Sequence, residues 1–282
     1  MLKLGVHVSI SGNIYKSVDR AEQLGCNTMQ IFSRNPRQWR KENLSQEDIQ
    51  KFRQKILQAK IKPLVIHIPY TLNLASSRRS FYKTTIRDFI LDLEETDKLG
   101  ANFLITHMGS YKGGTEIGGL LRVINALKKI LKETAGNQTV ILLENTSGSG
   151  SWLGYKFSHH RFILEELGWS ERVGVCLDTA HAWAAGYKID NVKGVEDLLT
   201  EIDKEVGIKR LKVVHLNDTQ EALGSKKDRH LAIGQGNIGR RGFKAIINHP
   251  DLQKTAFILE TPKDSDEDDI NNLRAVRKLY NQ

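Results

Sequence analysis

Two side chains that can bind a metal ion follow directly after one apolar segment of the chain. Residues 173–177 form a short apolar run, Asp178 ends it, and His181 comes three residues later. A run of this length and composition is typical of a strand buried on both faces. If the chain then turns at once into a helix or tight loop, the carboxylate and the imidazole project into the same region. They either cap and line a helix or begin a metal site.

The same arrangement recurs along the chain, and this recurrence favours the metal site. Short apolar segments again and again end on, or contain, a histidine or a carboxylate, and a late loop adds a further pair. The candidate ligands are His67, His107, Glu144, Asp178, His181, His215, Asp228, His230 and Glu260. Imidazole and carboxylate without a nearby thiolate suit zinc or manganese and argue against calcium. Nine ligands exceed what one ion takes, so we expect a cluster of two or three metals, with Glu144 as a bridge.

The segments that position these residues alternate between strand and helix. Predicted strands are 2–8, 27–32, 63–68, 103–106, 139–143, 173–177, 211–216 and 256–259, with helical segments between them. Eight such repeats predict an α/β fold, a single-domain (β/α)8 TIM barrel over residues 1–282. In a barrel, the C-terminal ends of the strands surround one active site. A doubly wound sheet is the alternative, but it would place its chemistry at one switch point.

Other polar residues have less certain roles in the sequence. Residues 145–154 are rich in serine and glycine and are predicted to form a long functional loop. His7 also closes a strand, so it is either a ligand or a residue that hydrogen-bonds to one. His159, His160 and His249 fall in predicted helices or turns, where we expect them at the surface.

Composition limits the function classes. The 282 residues carry a formal net charge of +9 and a pI near 9.4, which favours an anionic partner. The sequence has no apolar run of 18 residues and no N-terminal signal peptide, so we expect no membrane span. Cys26 and Cys176 are far apart in sequence, which suits core residues of a cytoplasmic protein.

Several long motifs, in order, resemble those of the endonuclease IV family of metal-dependent apurinic/apyrimidinic endonucleases. They are HIPYTLNLAS at 67–76, ILLENTSGSGSWLG at 141–154, VGVCLDTAHAWAAGY at 173–187, HLNDTQEALGSKKDRHLAIGQGNIG at 215–239 and ILET at 258–261. The resemblance covers essentially the whole chain. It implies a (β/α)8 barrel with three zinc ions, possible manganese at one site, and the nine candidate residues as ligands.

The resemblance also implies an activity. The expected reaction is hydrolysis of the phosphodiester 5′ to an abasic site in duplex DNA, by a metal-bound hydroxide, leaving a 3′-hydroxyl. Glu144 and Glu260 are then the expected catalytic carboxylates, with Glu260 orienting the water. Removal of 3′-blocking groups and a monomeric state are further implications. Loops that match those inserted into DNA by the family carry Arg37, Tyr70 and Leu72, which we expect to contact the lesion, with Trp39 beside Arg37.

Two other functions fit part of the sequence. A sugar isomerase or epimerase on a related barrel also gathers histidine, aspartate and glutamate around a divalent metal. Such an enzyme would not need Arg37, Trp39 or the Lys226–Lys227 pair. A DNA-binding module without catalytic activity is the other alternative. The intact ligand set argues against it, because unused metal ligands are costly buried polar groups.

Overall fold

The computed structural model describes residues 2–36 and 44–281 and has eight parallel strands alternating with helices. The strands are β1 Lys3–Val6, β2 Met29–Phe32, β3 Leu64–His67, β4 Phe103–His107, β5 Val140–Glu144, β6 Val173–Asp178, β7 Leu211–Leu216 and β8 Ala256–Leu259. The helices are α1 Lys16–Gln23, α2 Gln46–Gln58, α3 Arg79–Lys98, α4 Glu116–Glu133, α5 Phe157–Glu166, α6 Thr179–Ala185, α7 Val192–Val206, α8 Gly239–Ile247 and α9 Asp266–Leu279. The predicted (β/α)8 barrel is confirmed.

The sheet runs in the order β1-β8-β7-β6-β5-β4-β3-β2, and β1 then meets β2. At this seam His7 and Gln30 form a parallel bridge, and the Val8 N–H donates to the Gln30 carbonyl at 2.7 Å. The two backbones approach so closely here that a Cβ added to Gly5 would lie 1.9 Å from the Thr28 carbonyl oxygen. Only glycine allows this approach, so Gly5 permits the barrel to close.

Two separate apolar layers form the core. The larger layer lies between strands and helices, as an outer ring of helices around a parallel barrel requires. A small inner cluster fills the barrel itself, and its fully buried members are Val65, Ile105, Leu142, Cys176, Val213, Ala256 and Ile258. These inner residues fix which side chains of each strand point inward, because successive residues of a strand alternate between faces.

Several helices begin at residues whose side chains cap them. Thr115 accepts a hydrogen bond from the Gly118 N–H at the start of α4. Ser265 and Asp268 form a capping box at α9, whose first turn holds four carboxylates. The acidic stretch at 264–269 therefore lies at the start of α9, where its charges oppose the helix dipole. None of the helices in the described residues is both long and apolar enough to cross a bilayer.

The predicted surface position of two histidines is wrong. His159 and His160 lie on α5 with 2% and 0% exposure, because α5 is packed against its neighbours on both sides. The His159 Nδ1 accepts a hydrogen bond from the Gly154 N–H, and its Nε2 lies 3.2 Å from Glu116. Burial lowers the pKa of His160 to about 3, so this ring stays neutral. His249 is partly buried, with its Nε2 3.0 Å from Glu196.

Candidate metal centre

Strand alternation places six candidate ligands in one ring at the C-terminal end of the barrel. In each of six strands the inner apolar residue is followed two positions later by a polar residue on the same face. Val65 thus precedes His67, and Leu142 precedes Glu144. The six residues are His67, His107, Glu144, Asp178, His215 and Glu260. Strand register sets His107 directly beside Glu144, and Asp178 beside His215.

The Glu144 carboxylate lies at the centre of this ring, surrounded by four imidazoles. Its Oε1 is 2.9 Å from the Nδ1 of His215 and 3.6 Å from the Nδ1 of His181. Its Oε2 is 3.2 Å from the Nε2 of His67 and 3.6 Å from the Nε2 of His107. Glu144 is 1% exposed, and both of its oxygens face imidazoles.

A second group of ligands comes from α6 and from the loop after β7. Because α6 starts directly at Asp178, whose carboxylate accepts from the His181 N–H at 2.8 Å, His181 turns back over the ring. The loop brings Asp228 and His230 to the same place. The Asp228 Oδ1 is 3.2 Å from His181 and 3.3 Å from His230, and the His230 Nε2 is 3.7 Å from Asp178. All nine candidate residues therefore meet at one end of the barrel.

Backbone carbonyls fix the orientation of three of the histidines. The Nδ1 of His67 lies 2.7 Å from the Ile68 carbonyl oxygen. The Nδ1 of His181 lies 3.0 Å from the Asn145 carbonyl, and that of His230 lies 3.2 Å from the Glu260 carbonyl. Since a carbonyl only accepts, each Nδ1 carries a hydrogen, and each Nε2 is the nitrogen that faces the carboxylates. This is the arrangement by which proteins orient histidines toward a metal.

The charges in the cluster shift the pKa values of its members. Burial acts to lower the pKa of His181, but Asp178, Asp228 and Glu144 outweigh it and raise the value to about 10. The pKa of His230 rises to about 9 in the same way, chiefly because of Asp178. Burial alone would raise the pKa of Glu144, yet neighbouring histidines hold it well below its usual value. The Glu144 carboxylate is therefore charged and needs positive charge beside it.

The donor set fits divalent metal ions. Three groups have ligand atoms within 4.8 Å of one another, namely His67 with His107 and Glu144, Asp178 with His181 and His230, and Glu144 with Asp178, His215 and Glu260. Within the described part of the chain, the buried Nε2 of His230 and the Nδ1 of His107 have no hydrogen-bond partner. A divalent cation between such imidazoles and carboxylates would bind both kinds of group once the imidazoles are deprotonated. The cluster is therefore suited to metal binding.

Several residues that support the ligands were not predicted from the sequence. The Asn217 side chain donates to Asp178 at 2.6 Å and accepts from the Glu260 N–H at 3.0 Å. The buried Asp218 carboxylate accepts from the backbone N–H groups of Gly234 and Gly236 at 3.0 and 2.9 Å. It thereby ties down the loop that carries two ligands. The signal for both residues is their place directly after β7.

His7 faces the same ring without belonging to any of the three ligand groups found among the described residues. Its Nδ1 lies 3.3 Å from the Oε1 of Glu260. The geometry therefore favours the second of its two predicted roles, a residue that contacts a ligand.

A cavity of about 310 Å³ lies beside the cluster. Its walls include the ligands His107 and His181, the polar loop 145–154 through Ser147 and Trp152, and the ring of Tyr70. Tyr70 is 60% exposed and packs edge-on against Phe32, with ring centroids 5.3 Å apart. The predicted functional loop and the predicted aromatic residue thus border the metal centre.

The other predicted DNA contacts have different surroundings. Leu72 is 8% exposed and belongs to the hydrophobic core, so this conformation does not present it for insertion into DNA. Arg37 and Trp39 lie outside the described residues. The exposed Lys227 and Arg229 each lie 3.4 Å from the carboxylate of Glu221, which offsets part of the positive charge of that loop.

Comparison with known proteins gives matches over nearly the full chain. A family model described as "Xylose isomerase-like TIM barrel" matches residues 18–280. The chain is 41% identical over 278 residues to a "Probable endonuclease 4" of Halothermothrix orenii, covering 98% of this chain and 100% of that protein. The crystal structure of endonuclease IV from Thermus thermophilus matches with a TM-score of 0.87, 33% identity and 98% coverage of both chains. A D-tagatose 3-epimerase-like protein matches with a TM-score of 0.74 at 20% identity, over 99% of this chain and 97% of that chain, which shows the shared fold alone.

Proposed function

Because the chain belongs to the endonuclease IV family, we propose that it is a metal-dependent endonuclease that cleaves duplex DNA at abasic sites. The observation that carries this proposal is the convergence of nine imidazole and carboxylate groups around Glu144, with three histidines turned so that the Nε2 faces inward. Hydrolysis of a phosphodiester needs concentrated positive charge at the phosphoryl group, and multi-metal clusters are a common means of providing it.

We propose zinc as the metal and three as the number of ions. One ion would be held by His67, His107 and Glu144. A second would be held by Asp178, His215 and Glu260 together with Glu144, and a third by His181, Asp228 and His230. These ions would supply the Lewis acidity that phosphodiester hydrolysis requires.

The residues of the chain have separate tasks in this proposal. Glu144 would contribute to two adjacent ion sites, because both of its oxygens face imidazoles. Glu260 accepts a hydrogen bond from the attacking water and so orients it toward the phosphorus, since this carboxylate lies at the mouth of the ring with 14% exposure. Burial would raise the pKa of Glu260, but His215 and His7 lower it far enough to keep it ionised as an acceptor.

Recognition of the lesion is assigned to the loops around the cavity. An abasic nucleotide has no base to read, so an enzyme detects the gap in the stack and the ease of bending. Tyr70 has the exposure and position to enter such a gap beside the metal centre. Arg37 remains a proposed contact on the preceding loop.

Further parts of the proposal follow from the same chemistry. A site that hydrolyses a phosphodiester next to a missing base can also remove blocking groups attached through phosphate at a 3′ end. We further propose that the protein acts as a monomer in the cytoplasm, which sedimentation and cell fractionation would test.

The test is cleavage of a labelled duplex with one abasic site, with the same duplex without the lesion as the control. We expect one cut, 5′ to the lesion, that leaves a 3′-hydroxyl and that is lost after chelation. Equal cutting of both duplexes, or none by the metal-loaded protein, would contradict the proposal. Epimerisation of a ketohexose by the same preparation would support the sugar-epimerase alternative. Tight binding of the lesion without cleavage would support a DNA-binding module.

The role of Tyr70 is tested with a second substrate. Tyr70→Ala should slow cleavage of the abasic duplex while it leaves hydrolysis of a small phosphodiester unchanged, because the small substrate needs no bending. Equal losses on both substrates would mean that Tyr70 supports the metal centre instead of the DNA.

A further inference from the structure

One buried amide, Gln30, contacts the metal centre from the barrel seam. Gln30 is the second residue of β2 and is 0% exposed. Its neighbours Met29 and Ile31 belong to the outer apolar layer, so the Gln30 side chain points into the barrel. There it reaches three residues, namely Glu260, His7 and His215.

The contact with Glu260 fixes which end of the amide faces which neighbour. The Gln30 Nε2 lies 2.5 Å from the Glu260 Oε1 and 2.9 Å from the His7 Nδ1. An ionised carboxylate only accepts hydrogen bonds, so the amide NH2 must face Glu260. A flipped amide would place two oxygens against each other at that distance. The amide oxygen is therefore directed at His215.

This orientation determines the hydrogen position on His215. The Gln30 Oε1 lies 2.8 Å from the Nε2 of His215, and an amide oxygen only accepts, so that Nε2 carries a hydrogen. The remaining nitrogen, Nδ1, lies 2.9 Å from Glu144 and 3.2 Å from Glu260. Nδ1 is thus the atom that His215 offers to an ion held between the two carboxylates.

His215 differs in this respect from the three histidines held by the backbone. In His67, His181 and His230 a backbone carbonyl holds Nδ1–H and the Nε2 faces the site. In His215 the two nitrogens are exchanged, and the group that selects them is a side chain that substitution can remove. Gln30 at the same time donates to Glu260, another proposed ligand of that ion site.

We propose that Gln30 is a positioning residue that selects the Nδ1 of His215 as the ligand atom and orients Glu260 with the same amide. The proposal rests on the proposed function in that the ring holds metal ions. Outer partners of metal ligands typically contribute 10- to 100-fold to metal affinity or activity. Loss of Gln30 should therefore weaken one ion site by about that factor.

The test compares the Gln30→Met variant, which keeps the length of the side chain but removes both hydrogen-bonding groups, with wild type. Gln30→Asn, which retracts the amide by one methylene, is the second variant should the first fail to fold. The matched control is Asn102→Ala, because the Asn102 amide bonds the Leu64 N–H at the opposite end of the barrel. Circular dichroism and melting establish that each variant is folded.

Three readouts are informative. Transfer of zinc to a chromophoric chelator should be about 10- to 100-fold more favourable for one equivalent in both Gln30 variants, and unchanged in the control. NMR spectra of zinc-loaded protein with 15N-labelled histidine should show a signal for the Nε2–H of His215 in wild type, and this signal should be lost in Gln30→Met. The His215→Gln variant assigns the signal. Steady-state cleavage should show a lower kcat with an unchanged KM for the abasic duplex.

The outcomes separate this inference from the proposed function. Folded Gln30 variants that retain all zinc and an unchanged His215 pattern would overturn the inference even if wild type cleaves abasic DNA. Loss of one ion and of the His215 pattern would support it even if wild type does not cleave DNA, since neither readout uses DNA. Wild-type protein that binds no zinc would overturn both.

Discussion

Removal of the Asp92 carboxylate should destabilise the protein by an amount that the structure allows us to calculate. Asp92, on α3, is fully buried and pairs with the buried guanidinium of Arg34, with Nε–Oδ1 and Nη2–Oδ2 distances of 3.0 and 3.2 Å. Asp92→Ala leaves the Arg34 charge buried without this carboxylate. Removal of one partner of a buried ion pair costs about 3–5 kcal/mol.

The melting temperature provides the assay. Unfolding entropy is roughly 2.1 cal/mol/K per residue, or about 0.6 kcal/mol/K for this chain, so the expected decrease in Tm is about 5–8 °C. Differential scanning calorimetry of metal-free protein measures it without a contribution from bound ions. Asp92→Asn, which keeps the shape but removes the charge, should give a smaller decrease.

An exposed pair on another helix supplies the control. Lys193 and Asp197 on α7 pair at 2.7 Å but are 82% and 63% exposed. Asp197→Ala should change stability by about 0.5 kcal/mol or less, which is less than about 1 °C. Equal decreases in Tm for Asp92→Ala and Asp197→Ala, or a decrease below roughly 2 °C for Asp92→Ala, would contradict the prediction. Either result would show that burial does not determine the strength of the pair between Arg34 and Asp92.

Four further predictions concern the metal centre and DNA. Elemental analysis of protein never exposed to chelator should find two to three zinc equivalents, and one or none would refute the cluster. Glu144→Gln should lower cleavage by more than about 100-fold, beyond the usual loss for an outer partner, with loss of zinc; the exposed Glu171→Gln is the control. With pKa values of about 10 and 9, His181 and His230 are protonated at pH 7 without metal. Metal binding should thus release protons, and metal affinity should increase as pH rises, which calorimetry in two buffers measures. The stability that the two protonated histidines contribute to the metal-free protein should be lost as pH rises through 9–10. Affinity for abasic duplex should fall with salt at a log–log slope of roughly −0.9 per phosphate contact, and a flat dependence would contradict DNA binding.

The barrel and the convergence of the candidate ligands were predictable because both depend on local pattern. An apolar run that ends in His107 or Glu144 identifies a strand and its polar end, and parallel strands then bring those ends together. The same alternation could have identified Gln30, a polar residue between the outward-facing Met29 and Ile31. An amide is not among the usual zinc ligands, so the residue type gives no signal of a metal site.

Some features depend on tertiary packing, which no local pattern shows. His160 is polar by type, and nothing in its local sequence shows that α5 is covered on both sides. Leu72 lies two residues after the exposed Tyr70, yet its side chain packs in the hydrophobic core. The hydrogen positions of His215 depend on Gln30, which lies 185 residues away in sequence. Such relations require the coordinates.

The separation of the ligands along the chain has a consequence for how the protein folds. Glu144 lies 77 residues from His67 and 71 from His215, and Gln30 lies 230 residues from Glu260. No short peptide fragment contains the ring, so the ring forms only when the barrel closes. The chain therefore loses the conformational entropy of closure before any ion can bind. The ions then stabilise the native state more than the transition state. Added zinc should slow unfolding and leave the rate of folding almost unchanged, unlike in small zinc domains, where the metal itself drives folding.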